Sequence, residues 1–297
     1  MFGYLEIIRP KNCLMAAFAV LIGSFLYLKL DLPLVWQPVA FAMGAAFLIT
    51  GAGNAINDYF DVEADRLNRP DRPIPLGKVS IKGALVSSII LFIAGILLAA
   101  FTTNLAFGIA ILNSILLFIY SWSLQHKTFF GNFTVAYLTG STFLFGGAAV
   151  GNIQLPLLFG LLAALATFSR EIVKDIEDIE GDSKTFIKKY SYVKKKIMER
   201  FTVTDQGVIL KYKKKAGLVT LAVSLLVAIA LSPAPYLLGL VGFWYLILVI
   251  PTDMVFLLSV LESARAEKTQ DFARISRLIK YGYFLGLLAF LAGILII

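Results

Sequence analysis

Apolar runs approaching twenty residues recur along the whole chain, and nothing else restricts its possible folds as much. A run of that length crosses the hydrocarbon core of a bilayer as a helix, whereas a membrane β-strand needs only about 10 residues. Within lipid the backbone must satisfy its own hydrogen bonds, which leaves helices or closed barrels, and the run length selects helices. Composition agrees. The 297 residues are 59% hydrophobic and 15% charged, with mean hydropathy +0.81; soluble domains stand nearer about 45–50% apolar and 25% charged. Nine spans are expected, at 12–30, 35–57, 80–101, 105–122, 132–151, 155–175, 216–232, 236–260 and 280–297.

Charge orients these spans. With a cytoplasmic N-terminus, the inner segments and adjoining helix ends hold 26 of the 27 Lys and Arg, and only Lys29 falls outside. That partition follows the positive-inside rule. The outer connections, such as "TTN" and "SPAP", are short and almost uncharged. The expected fold is an all-α integral membrane protein, a single domain over 1–297 of about nine transmembrane helices enclosing a cytoplasm-facing active-site cavity. A basic cytoplasmic insertion at about 183–215 carries eleven Lys/Arg against Glu199 and Asp205, leaving the rest of the +8 chain near −1. A basic inner loop of this kind reads anionic headgroups rather than nucleic acid. Within it, "FTVTDQGVILKY" alternates around an Asp-Gln-Gly turn and is expected to form a small hairpin. The first apolar run lacks a small-residue cleavage pattern and reads as a retained span. The single Cys13 excludes an intramolecular disulfide framework, and His126 reads as an interfacial residue rather than a ligand. No obligatory protein partner is implied.

Against this background "NAINDYFDVEADRLNRPDRPIP", residues 54–75, is out of place behind a membrane-length helix. Asp58, Asp61 and Asp65 are spaced 3 then 4, and Asn57, Asp61 and Asp65 form a parallel i, i+4, i+8 row. At the end of span 6, "SREIVKDIEDIEGD" repeats the pattern with Asp175, Asp178 and Asp182, at a constant offset of 117 residues. Such spacings share one helix face. Each stripe therefore stacks like charges at a helix C-terminal end, where the dipole also disfavours anions. Carboxylates gathered in that way need a cation, and oxygen-only ligands favour Mg²⁺, which is held by carboxylates together with substrate phosphates. The two stripes are expected to face one cavity. Arg69 and Arg72, stiffened by Pro70, Pro73 and Pro75, follow the first stripe; Arg170 and Lys174 accompany the second; Lys127 lies in the loop after span 4. These are phosphate ligands by type. Carboxylates, Mg²⁺ and basic residues around one pocket describe activation of a diphosphate leaving group. Apolar helices rich in Phe, Tyr, Gly and Ala would enclose a polyprenyl chain, and Tyr120 is the one aromatic residue singled out.

"NDYFDVEAD" with "RPDRPIP" behind it, and "DIEGD", resemble the two aspartate-rich motifs of the UbiA-type intramembrane prenyltransferases. The likeness extends over all nine spans, and "YSWSLQHK" followed by Gly131–Asn132 adds an independent match. The resemblance implies that Asn57, Asp61 and Asp65, with Asp58 beside them, hold one Mg²⁺, and that Asp178 and Asp182, assisted by Asp175, hold a second. It implies Arg72, Lys127 and Lys174 as diphosphate ligands, and Asp61, Asp178, Tyr120 and Lys127 as the residues carrying catalysis. Within the family the motifs look most like those of archaeal enzymes that move a geranylgeranyl group from its diphosphate to a lipid-phosphate acceptor, geranylgeranylglyceryl phosphate. The long basic connection after the second motif departs from the family pattern; it is expected either to cap the site or dock on headgroups, or to be a plain exposed positive-inside loop.

Two rivals stand beside this reading. Prenylation of an aromatic acceptor would use the same metal and diphosphate machinery. A cation-coupled transporter would also carry intramembrane acids, and Asp253, expected toward the inner end of span 8, is the nearest thing to a charged path across the membrane.

Overall fold

The computed structural model describes residues 2–28, 36–126, 128–181 and 203–295, and every regular element among them is helical. In chain order these are α1 (Phe2–Ile7), α2 (Pro10–Leu28), α3 (Trp36–Phe60), α4 (Val62–Asn68), α5 (Ile81–Ala99), α6 (Asn104–Trp122), a 3-10 turn at Leu124–His126, α7 (Thr128–Ala149), α8 (Gln154–Gly181), α9 (Val203–Leu231), α10 (Ala234–Leu237), α11 (Phe243–Ser263) and α12 (Thr269–Leu295). The nine long helices among the described residues answer to the nine expected spans. Seven helical stretches, in α3, α5, α6, α8, α9, α11 and α12, are long and apolar enough to cross a membrane, and Pro10–Phe25 is a shorter apolar helix. The protein is a multi-pass membrane protein.

Two compact units are distinguishable, Met1–Ala164 and Leu165–Ile297. In the first, α3 packs against α2, α5 and α6. Its small residues Ala42, Ala45 and Ala46 join Val20, Ala106, Ala110, Phe145 and Ala148 in one core. Lipid offers no hydrophobic drive between helices, so close backbone approach matters. A Cβ on Gly146 of α7 would clash with the Val20 carbonyl oxygen of α2. Ser24 Oγ bridges the same seam, donating either to Val20 O at 2.9 Å or to Gly146 O at 3.0 Å.

The loop after the first acidic stripe is packed rather than loose. Ile74 and Val79 are buried with Ile7, Ala55 and Ala84, and turns such as Leu76 N–H to Arg72 O at 3.0 Å close it. Gly77, at φ +70°, supplies the left-handed residue that the turn needs. Ser80 then caps α5, its side chain accepting from Gly83 N–H at 3.0 Å.

In the second unit, α11 packs along α12, and α9 against α11. Ile172, Val173 and Ile176 of α8 lie in a core with Leu221, Leu225, Phe272, Ile275 and Ile279.

Two expectations require correction. Residues 203–212, read as part of a hairpin, belong to the first turns of α9. Gly207 costs only about 1 kcal/mol against Ala in a helix, and propagation from the apolar helix that follows outweighs a three-residue turn signal. Asp253, expected toward the later end of its span, stands midway along α11. Its Oδ2 accepts a 2.6 Å hydrogen bond from Ser232 Oγ, in the "SPAP" connection, and Ser232 O accepts one from Tyr245 Oη at 2.6 Å. A carboxylate in an apolar helix takes the hydroxyl that reaches it, and this one comes from the connection between α9 and α10. The rest of the basic insertion, residues 183–202, lies outside the described residues.

Candidate active site

The first acidic stripe keeps its helical geometry across the break between α3 and α4. Asp61 stands at the junction with φ −89° and ψ 3°. Its N–H still bonds Asn57 O at 2.9 Å, and its carbonyl accepts from Asp65 N–H at 2.8 Å. Asn57, Asp61 and Asp65 therefore follow one another along a nearly continuous helix, as the i, i+4, i+8 spacing requires.

The carboxylates of this stripe do not behave alike. Asp58 and Asp65 are buried, at 3% and 6% exposure, where an unpaired charge is costly. Both are compensated by arginine. Arg72 Nη1 donates to Asp58 Oδ1 at 3.0 Å and to Asp65 Oδ2 at 2.5 Å. Arg9 makes a short charged hydrogen bond to the same Asp58 oxygen. Asp61 is half-buried and takes a neutral partner: Gln125 Nε2 donates to Asp61 Oδ1 at 2.8 Å and to Ser121 O at 3.0 Å. Gln125 Oε1 in turn accepts from Asn57 Nδ2 at 2.8 Å. That bond uses the amide nitrogen of Asn57 and keeps its oxygen as the acceptor end.

Gln125, Arg9 and Asn54 carry parts of this site that the motif reading missed. Gln125 sits on the 3-10 turn after α6, and a Cβ on Gly131 of α7 would lie 2.8 Å from Leu124 O in the same turn. Arg9 lies between α1 and α2 at φ 51°, a region non-glycine residues seldom adopt. It is held there by Asn54, whose Nδ2 donates to Ile8 O at 2.8 Å and whose Oδ1 accepts from Arg9 Nη1 at 3.4 Å. A signal was present in the sequence: Asn54 is one helical turn before Asp58 and extends the polar face. Of the other expected residues, Arg69 is exposed, Tyr120 is half-buried on the last turn of α6, and Lys127 lies outside the described residues.

On α8 the second stripe begins with a cluster that the aspartate motif does not include. Glu171 Oε1 accepts from Arg170 Nη1 at 2.9 Å and from Lys174 Nζ at 2.9 Å, and Lys174 also reaches Glu171 Oε2 at 3.0 Å. Asp175 is half-buried one turn further on, and Asp178 follows on the same helix. Asp182 lies outside the described residues.

Among the described residues no three His, Cys, Asp or Glu side chains gather as a ready metal-holding group. The first motif instead offers a mixed oxygen set: the Asn57 amide, the Asp61 carboxylate held from one side by Gln125, and Asp65. Its chemistry, oxygen donors without sulfur or imidazole, fits Mg²⁺.

The sequence and the fold both match known proteins. The model of the UbiA prenyltransferase family matches residues 16–285. A digeranylgeranylglyceryl phosphate synthase of Methanococcus aeolicus is 39% identical over 293 residues, covering 98% of this chain and 96% of that protein. A solved structure concerned with digeranylgeranylglyceryl phosphate synthase in membranes superimposes with TM-score 0.82 at 32% identity, over 99% of this chain and 98% of that one. A UbiA homologue from Archaeoglobus fulgidus, solved with GPP and Mg²⁺, shares the fold at TM-score 0.67 and 18% identity, covering 96% of this chain and 99% of that one.

Proposed function

The chain belongs to the UbiA prenyltransferase family, and on that footing we propose that it transfers a geranylgeranyl group from geranylgeranyl diphosphate to the free hydroxyl of geranylgeranylglyceryl phosphate. The observation that carries the chemistry is Arg72 held against Asp58 and Asp65, with Asn57 and Asp61 on the same helical run. A guanidinium fixed beside oxygen donors suits a Mg²⁺-diphosphate group. The acceptor rests on the whole-length likeness to synthases of that name.

In this reading Asn57, Asp61 and Asp65, with Asp58 beside them, form one Mg²⁺ set, and Asp175, Asp178 and Asp182 form another. When bound there, Mg²⁺ neutralises charge on the diphosphate and makes it a better leaving group. Arg69, Arg72 and Lys127 take up diphosphate oxygens, and Arg170 and Lys174 supply further phosphate-binding charge. Gln125 fixes the direction of the Asp61 carboxylate, and Arg9 keeps Asp58 and Arg72 in register. The bond between C1 and the diphosphate oxygen breaks with its electron pair going to the diphosphate. The acceptor oxygen bonds to C1, and its proton leaves with the pyrophosphate. Tyr120 offers a ring face to the allylic cation that develops. The N-terminus and this chemistry face the cytoplasm, as the partition of 26 of 27 Lys and Arg supports.

The test is a transfer assay in detergent with both substrates, with and without Mg²⁺, on wild type, Asp61→Ala and Asp178→Ala. Mg²⁺-dependent diether, lost by at least about 100-fold in each variant, is expected. Diether formed equally without Mg²⁺ would sink the metal assignment, and no diether from wild type would sink the substrate pair.

A further inference from the structure

The cluster on α8 contains a buried donor that nothing among the described residues satisfies. Arg170 Nε is out of solvent and has no hydrogen-bond partner among them. The buried Tyr283 hydroxyl, on α12, lies beside it, with Thr167 as its side-chain partner and Arg170 and Glu171 around it. Native proteins rarely leave buried donors unpaired, and each such group asks what it is kept for. Lys174 stands beside them, so two cations share the single carboxylate of Glu171. The cluster therefore carries one net positive charge within a membrane-spanning helix, where ionisable groups mark function. An Nε–H, a phenolic O–H and an ammonium group around one point can all donate, and they suit a phosphate oxygen.

We propose that Arg170, Lys174 and Tyr283 bind the phosphate of the lipid acceptor, in place of the diphosphate role that the motifs imply for Arg170 and Lys174. The inference rests on the prenyl-transfer reading above and assigns the acceptor's place within it. Depth along α8 separates the two sites. Arg170 stands five residues before Asp175 and eight before Asp178, roughly 8 and 12 Å along a helix axis. A diphosphate anchored through metal toward the Asp178 end of that row leaves the Arg170 end to a second phosphate. The carbon that reacts lies beyond the metal-bound phosphates, on the apolar side. The acceptor phosphate shares a glycerol backbone with the attacking hydroxyl, so it too must sit near that carbon and away from the metal. Glu171 holds the two cations in place and keeps the site from attracting two anions at once.

The test compares wild type, Tyr283→Phe and Lys174→Gln by steady-state kinetics and by thermal shift. The probes are geranylgeranyl diphosphate, geranylgeranylglyceryl phosphate, the dephosphorylated geranylgeranylglycerol and phosphatidic acid. Each variant should raise KM for the phosphorylated acceptor about tenfold, with the donor KM within about twofold of wild type. The phosphorylated acceptor should raise the wild-type Tm more than its alcohol does, and the variants should lose that difference. A rise in donor KM instead assigns the cluster to the diphosphate and overturns the proposal, as do unchanged KM values. An equal shift by phosphatidic acid marks a general headgroup site and also overturns it. If wild type forms no diether, the proposed reaction fails while the thermal arm still decides: equal shifts by acceptor and alcohol overturn the phosphate site, and a difference lost in the variants upholds it.

Discussion

Gln125 holds Asp61 through a 2.8 Å hydrogen bond from Nε2, and its Oε1 accepts from Asn57 at the same length. One uncharged side chain thus orients two residues of the aspartate motif from a separate helix end. Groups that orient metal-binding carboxylates commonly matter 10- to 100-fold. Gln125→Ala should therefore raise the Mg²⁺ concentration for half-maximal activity about tenfold, with the fold intact by circular dichroism. An unchanged Mg²⁺ dependence would reduce Gln125 to packing.

Arg72 bonds two buried carboxylates through one nitrogen. Arg72→Lys keeps the charge and loses the fork. The expected result is a KM for geranylgeranyl diphosphate raised about tenfold, measured with acceptor saturating. A variant indistinguishable from wild type would show that Arg72 serves only Asp58 and Asp65.

Arg9 combines an ion pair to Asp58 with a left-handed backbone. Its replacement should cost roughly 1–3 kcal/mol of stability, because a charged hydrogen bond to a buried group is lost. Glycine at position 9 should cost roughly 1 kcal/mol less than alanine, since only glycine adopts that φ without strain. Thermal unfolding of Arg9→Ala and Arg9→Gly side by side checks the order.

The fold was legible because membrane burial leaves its mark on every apolar run. The acidic rows were legible because a helix turns spacing into a shared face. Long-range partnerships left no such mark. Arg9 and Asp58 are 49 residues apart, and Gln125 and Asp61 are 64 apart, so neither pair shows in a local pattern. Glu171 was closer to hand, three residues before Lys174 and four before Asp175, but counting aspartates hid it. The hairpin expected at "FTVTDQGVILKY" failed because alternation over a few residues competes poorly with a helix 29 residues long.

Asp253 and Ser232 are tied by a 2.6 Å hydrogen bond next to the buried Tyr245. Asp253→Ala should lower thermal stability by roughly 0.5–1.5 kcal/mol, the worth of one hydrogen bond whose donor keeps Ile229 O as an alternative acceptor, while kcat stays at the wild-type value. A collapse of kcat with stability preserved would place Asp253 in the chemistry instead.

Acceptor choice separates the two chemistries, and one competition measures it. Geranylgeranyl diphosphate, Mg²⁺ and equal concentrations of geranylgeranylglyceryl phosphate and an aromatic acceptor such as 4-hydroxybenzoate are incubated with the purified protein, and products are identified by mass spectrometry. Digeranylgeranylglyceryl phosphate as the dominant product, dependent on Mg²⁺, is the predicted result. A prenylated aromatic ring with no diether would contradict the account.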